Sequence, residues 1–165
     1  MDLRDYFHRR CSELLVMERE VWQLQRVMAQ ESGRADLKTL FEEQNAPKRQ
    51  QISRLEQVVD ELGGITGALE HPMAQAARRM YRQFMESNPP RALIDIQQAL
   101  ETDKLVDLTM ASYRGLIALA RRLGEETLVH LLRDNLETEK ALRTRLDDLL
   151  PGVLNEDNEQ LRPAA

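Results

Sequence analysis

Only one cysteine occurs in the 165 residues, Cys11, so no intrachain disulfide can form and the thiol content gives no sign of an oxidising compartment. Cys11 falls in the apolar line of a helical pattern and reads as a small buried hydrophobe, since no neighbouring base marks it as a nucleophile. Long apolar runs are missing as well. Residues 1–10 lack the uninterrupted hydrophobic stretch of a signal peptide, and no later segment is long enough to span a bilayer, so a cytoplasmic protein with no membrane partner is expected. A basic excess is also absent: 23 Lys and Arg against 28 Asp and Glu give a net charge of -5. Nucleic acid is therefore not expected as a partner, because phosphate binding draws on clustered cations. The local groups Arg78, Arg79, Arg82 and Arg121, Arg122 read as solvated helix faces.

What is present is helical periodicity. Residues 2–30 contain neither Gly nor Pro, and Phe7, Cys11, Leu14, Glu18, Val21 and Met28 recur at steps of three and four, with Leu15 and Trp22 widening the stripe. Ser32 and Gly33 break the pattern. A second helix is expected over 34–62, with Leu37, Phe41, Ile52, Leu55, Val59 and Leu62 inward and Gln44 on their line. Pro47 predicts a bend or local break between residues 43 and 49, because proline removes a backbone donor and clashes with the preceding turn. Gly63, Gly64, Gly67 and Pro72 punctuate a crossover, within which residues 73–86 read as a shorter helix whose Met73, Ala77, Met80 and Phe84 face the core or a dimer contact.

A third long helix is expected over 91–123, capped by Gly124, with Ile96, Leu100, Asp103, Asp107, Met110 and Ile117 on its inner line. The fourth begins near Glu125 and runs to about residue 150, carrying Leu128, Leu132, Asn135, Glu139, Leu142, Leu146 and Leu149, and Pro151 and Gly152 close it. Residues 151–165 read as a flexible C-terminal tail. Four long helices with a short first connection and a long second one make an all-α, ferritin-like four-helix bundle over 1–150, with an extra helix in the crossover.

Each long helix carries a polar residue into its apolar stripe near mid-span: Glu18, Gln44, Asp103 or Asp107, and Asn135 or Glu139. A carboxylate buried there must be paired, hydrogen bonded, protonated or bound to metal. A di-metal carboxylate site in such a bundle uses Glu-x-x-His pairs, and the sequence has none; His8, His71 and His130 are scattered. The alternative is a polar layer that specifies helix register.

Four segments in order resemble the YciE/YciF ferritin-like stress proteins of bacteria over residues 3–150: Met17-Glu18, residues 37–43 with SRLEQ at 53–57, SYRGLIALARRLG at 112–124, and LETEKALRTRL at 136–146. The resemblance implies a stress-associated, generally dimeric di-metal bundle. It implies Glu18 and Glu139 as retained ligands, Gln44 in place of a histidine and Pro47 in place of a glutamate. Val106, Asp107 and Thr109 stand where the family has a Glu-His-x-Glu run, and Thr138 replaces a second acidic residue. Tyr113 matches a family tyrosine, with packing as its default role. The candidate metal ligands are thus Glu18, Gln44, Asp107 and Glu139, too few for two irons. The reading is a homodimeric stress-type bundle whose di-metal site is partly or wholly lost. No cofactor is expected, and iron or manganese is what a surviving site would take. A di-iron or di-manganese oxidase or ferroxidase, or a helical module that binds a protein partner through the methionines of 73–85, are the alternatives.

Overall fold

A computed structural model describes residues 1–67 and 70–155, and every regular element in them is helical: α1 Leu3–Glu31, α2 Ala35–Glu61, α3 Pro72–Glu86, α4 Arg91–Leu123 and α5 Glu126–Leu154. The first helix starts at a reciprocal cap in which the Asp2 carboxylate accepts from the Asp5 N–H at 2.8 Å and Asp5 accepts from the Asp2 N–H at 3.1 Å. Its expected inner line, Phe7, Cys11, Leu14, Glu18, Val21 and Met28, is buried throughout. Burial also accounts for Cys11, whose thiol pKa it pushes far above the usual range.

The four long helices close a ring in the order α1, α2, α5, α4, each packed against its two neighbours, while α3 lies across α1 and α4. Polar links at both ends show that ring neighbours run antiparallel. Near one end His8 hydrogen bonds to the Gly64 carbonyl and Arg4 pairs with Glu125, and at the other Arg34 donates to the Gly152 carbonyl. This is the all-α bundle with a long crossover that the periodicities predict. Among the described residues, no helix is long and apolar enough to cross a membrane.

The tight α1–α2 turn depends on Gly33. A Cβ there would lie 2.8 Å from Arg91 Cγ and 2.9 Å from Asp95 Oδ2. The close approach lets the buried Asp95 carboxylate on α4 accept from the Gly33 N–H at 2.7 Å and the Arg34 N–H at 3.3 Å. It thereby satisfies donors at the head of α2, where Arg34 supplies no side-chain cap. At the other end of α4, Gly124 adopts the left-handed conformation (φ 75°) that ends the helix.

Three expectations need correction. The second helix passes through Pro47 without a break. The carbonyl deprived of its partner belongs to Glu43, an exposed residue, where water can take the lost bond. The fifth helix likewise continues through Pro151 and Gly152 to Leu154 with Val153 buried, so the tail does not begin at 151; the rest of that tail, residues 156–165, lies outside the described residues. In α3 the buried side is Ala74, Ala77 and Tyr81, whereas Met73 and Met80 are more than half exposed. Small residues let α3 sit close to α1 and α4, which turns Met73 and Met80 away from the core while Met85 still packs against it.

Candidate functional site

Seven buried polar side chains from four helices meet near mid-height: Glu18 on α1, Lys48 and Gln51 on α2, Thr109 and Tyr113 on α4, Asn135 and Glu139 on α5. The spacings of three or four within each helix put each pair on one face. Lys48 lies between the two carboxylates. Its ammonium donates to Glu18 Oε2 at 2.8 Å and also to Glu139 Oε1. The Gln51 amide nitrogen is 2.7 Å from both Glu18 Oε1 and Glu139 Oε1. Tyr113 donates its hydroxyl hydrogen to Glu18 Oε1 at 2.9 Å, and Thr109 Oγ1 is 3.1 Å from Glu139 Oε2. Asn135 anchors the frame, donating to the Gln51 backbone carbonyl at 2.9 Å. All four carboxylate oxygens therefore have a donor within reach, the condition under which buried ionised groups are tolerated, although Thr109 shares its one hydrogen among Glu139 and the Leu105 and Val106 carbonyls at 2.9 and 3.0 Å.

With both carboxylates ionised, the cluster holds two negative charges against one positive. Burial raises the pKa of Glu18; the Lys48 ammonium opposes the shift and the Glu139 carboxylate adds to it. For Lys48, burial alone would favour loss of the proton, but the charges of Glu139 and Glu18 outweigh it and hold the pKa above the ordinary lysine range. The ammonium is thus charged at neutral pH. Burial and the Glu18 charge push Tyr113 well above the usual phenol range, which keeps it a hydrogen-bond donor.

The sequence-derived ligand set divides. Glu18 and Glu139 come together at the centre. Gln44 is buried one turn before Lys48 and, among the described residues, hydrogen bonds to neither carboxylate. Asp107 does not reach the layer: its side chain is 66% exposed and pairs with Arg143 at 3.1 Å, alongside Asp103 at 2.8 Å and Asp147 at 3.0 Å from the same guanidinium. The inner line of α4 is instead Thr102, Val106, Thr109, Tyr113 and Ile117, and Leu100 is exposed. Threonines and small residues carry that face, so apolar periodicity pointed one step around the helix. Lys48 and Gln51 were the residues missed. Steps of four and three from Gln44 lead to Lys48, Gln51 and then Leu55, but a break at Pro47 would interrupt that line; the unbroken helix carries it through.

These residues do not fit a di-metal centre. Among the described residues no three or more His, Cys, Asp or Glu are grouped so that they could hold a metal ion, and an ammonium already engages the two central carboxylates. His130 is exposed, His71 precedes α3, and His8 is held by Gly64.

Residues 2–159 match the family model described as Domain of unknown function (DUF892). The chain belongs to the DUF892 family. The fold of this DUF892 chain is shared with the Escherichia coli stress protein YciF (TM-score 0.85, 23% identity, covering 95% of this chain and 99% of that one). It is shared also with YcfI of Rhodopseudomonas palustris (TM-score 0.82, 22% identity, 89% and 94% covered) and with a protein of Xanthomonas campestris pv. campestris (TM-score 0.73, 19% identity, 93% and 94% covered). No curated protein matches the sequence. The YciE/YciF-type resemblance and the ferritin-like architecture read from the sequence are both shown, and within that DUF892 framework the polar layer of this chain is centred on Lys48.

Proposed function

We propose that this DUF892 chain is a cytoplasmic, stress-associated helical-bundle protein of the YciE/YciF type, a homodimer that has lost its di-metal centre and catalyses no oxygen chemistry. The observation that carries this reading is that of Glu18, Gln44, Asp107 and Glu139 only the two glutamates meet, and their charge is met by Lys48. Against the oxidase or ferroxidase reading, Asp107 points to solvent beside Arg143, leaving two carboxylates where such chemistry needs more. Elemental analysis of protein purified without chelators tests the reading: far less than one iron or manganese per chain is expected, and two tightly held ions would overturn it.

The homodimer is supported by a groove of about 290 Å³ between α3 and α4, lined by the exposed Met73 and Met80 together with Leu105, Leu108, Glu101 and Lys104. Sedimentation equilibrium should give a dimer mass that Met80→Glu halves. A different protein partner on the same methionine face is the second reading, favoured by the exposure of Met73 and Met80. A monomer that captures a specific protein through this face would select it over the dimer.

A further inference from the structure

We propose that Lys48 is a tethered cation: its ammonium takes the place between Glu18 and Glu139 that a hard divalent ion would fill, and so keeps a latent Mn²⁺ site closed. This rests on the reading that the di-metal centre is lost, and it adds which residue keeps the ion out.

Three observations support it. The carboxylates remain aimed at a common point, each fixed from behind by a neutral donor: Tyr113 on Glu18 at 2.9 Å, and Thr109 on Glu139 at 3.1 Å. Outer contacts of this type orient metal ligands in general. A third oxygen is close by. Gln51 is fully buried, its amide nitrogen faces both carboxylates, and the Oε1 of that same amide has no hydrogen-bond partner, so turning the amide over would present this oxygen to an ion without breaking a bond that Oε1 now makes. Carboxylate and amide oxygens are the donors that Mn²⁺, Mg²⁺ and Ca²⁺ prefer. Finally, with both carboxylates ionised, one ammonium leaves the pair at net −1, whereas a divalent cation brings it to zero. The ammonium stands 2.8 Å from Glu18 Oε2, whereas a small hard divalent ion stands about 2.1 Å from its oxygens, so the carboxylate would need to close by less than about 1 Å. Because the lysine is covalently part of α2, the bundle does not depend on metal supply to neutralise its own core.

The test uses the full chain with Lys48→Met, which removes the charge but keeps most of the stem, and Lys48→Ala, which also opens space for a hydrated ion. Thermal unfolding is followed in EDTA and in millimolar Mn²⁺, with bound manganese counted after desalting. The wild type should show the same Tm in both conditions. The variants should melt about 10 °C lower in EDTA, the expected cost of two buried carboxylates stripped of their cation, and recover most of the loss in Mn²⁺ with one ion bound per chain. Adding Glu139→Gln to Lys48→Ala should abolish the response. A variant that folds only when Mn²⁺ is supplied supports the proposal equally, and one that fails to fold even with Mn²⁺ overturns it. Folded variants indifferent to Mn²⁺ would also overturn it while leaving the lost-centre reading intact. Manganese or iron held by the wild type would defeat that reading instead.

Discussion

Replacing Tyr113 by phenylalanine removes one hydroxyl from a fully buried site and leaves the ring in place. The hydroxyl gives Glu18 Oε1 a donor at 2.9 Å; after its loss that oxygen keeps the Gln51 amide at 2.7 Å, and Asn135 keeps the Gln51 carbonyl at 2.9 Å. No oxygen of Glu18 is orphaned, but the hydroxyl also accepts from Gln51 at 3.1 Å and from Asn135 at 3.3 Å. The penalty is that of one hydrogen bond to a charged acceptor, about 1.5–3 kcal/mol, with the two weaker lost contacts placing it in the upper part of that range. For a chain of this size that lowers Tm by roughly 3–12 °C. The penalty should also depend on pH in a definite direction. Tyr113 stabilises the ionised form of Glu18, whose pKa burial has raised, so the bond matters most where Glu18 is ionised. In the wild type, a carboxyl with a raised folded-state pKa stabilises the fold fully below the ordinary glutamate range, and that contribution fades as pH rises through the folded pKa. The variant raises this pKa further. Urea unfolding of both proteins from pH 5 to 8, followed by circular dichroism, should give a difference in stability that grows with pH. A difference below about 0.5 kcal/mol at pH 8, or one that shrinks as pH rises, would refute the geometry assigned to the Glu18–Tyr113 pair.

Asp107→Asn should change stability by less than about 0.5 kcal/mol in chemical denaturation, as for an exposed ion pair; a loss comparable to that of Lys48→Met would put Asp107 back in the layer. Gly33→Ala drives a Cβ into Arg91 and Asp95 and should cost about 1–3 kcal/mol through the loss of the Asp95 cap, read as a lower urea midpoint; an unchanged midpoint would mean the turn relaxes freely. Pro47→Ala restores the backbone donor inside α2 and should raise Tm by several degrees, since an interior proline costs up to about 3 kcal/mol. Above about pH 10 the fold should lose stability steeply: Lys48 and Tyr113 both have raised folded-state pKa values, so the stabilisation each provides is complete below the ordinary lysine and tyrosine range and disappears as pH climbs through the shifted values. A flat alkaline limb in a pH series of thermal melts would contradict this.

Much of the bundle was legible because α1 and α5 carry strong apolar stripes. Phe7 to Met28 and Leu128 to Leu146 are buried as their spacing requires, and Glu18 and Glu139 stand out against leucines. In α4 the inward face carries Asp95, Gln98, Thr102, Thr109 and Tyr113 among its apolar residues, and hydrophobicity does not mark these, so apolar spacing alone puts Asp107 on the wrong side. In α3 Ala74, Ala77 and Tyr81 make the contact and Met73 and Met80 remain outside, the reverse of what hydrophobicity alone suggests. Pro47 misled for a different reason: a propensity of about 3 kcal/mol is smaller than the packing gained by keeping α2 continuous beside α1 and α5.

Local sequence by itself determined the helices, the turns at Gly33 and Gly124, and the two mid-span glutamates, because periodicity, caps and breakers act within a few residues of themselves. Which cation those glutamates meet was decided only by tertiary structure. Glu18, Lys48 and Glu139 lie 30 and 91 positions apart, and only the ring of packed helices, with α2 running unbroken through its proline, brings the ammonium between them. In water three such groups would barely interact; enclosed together, they must balance one another.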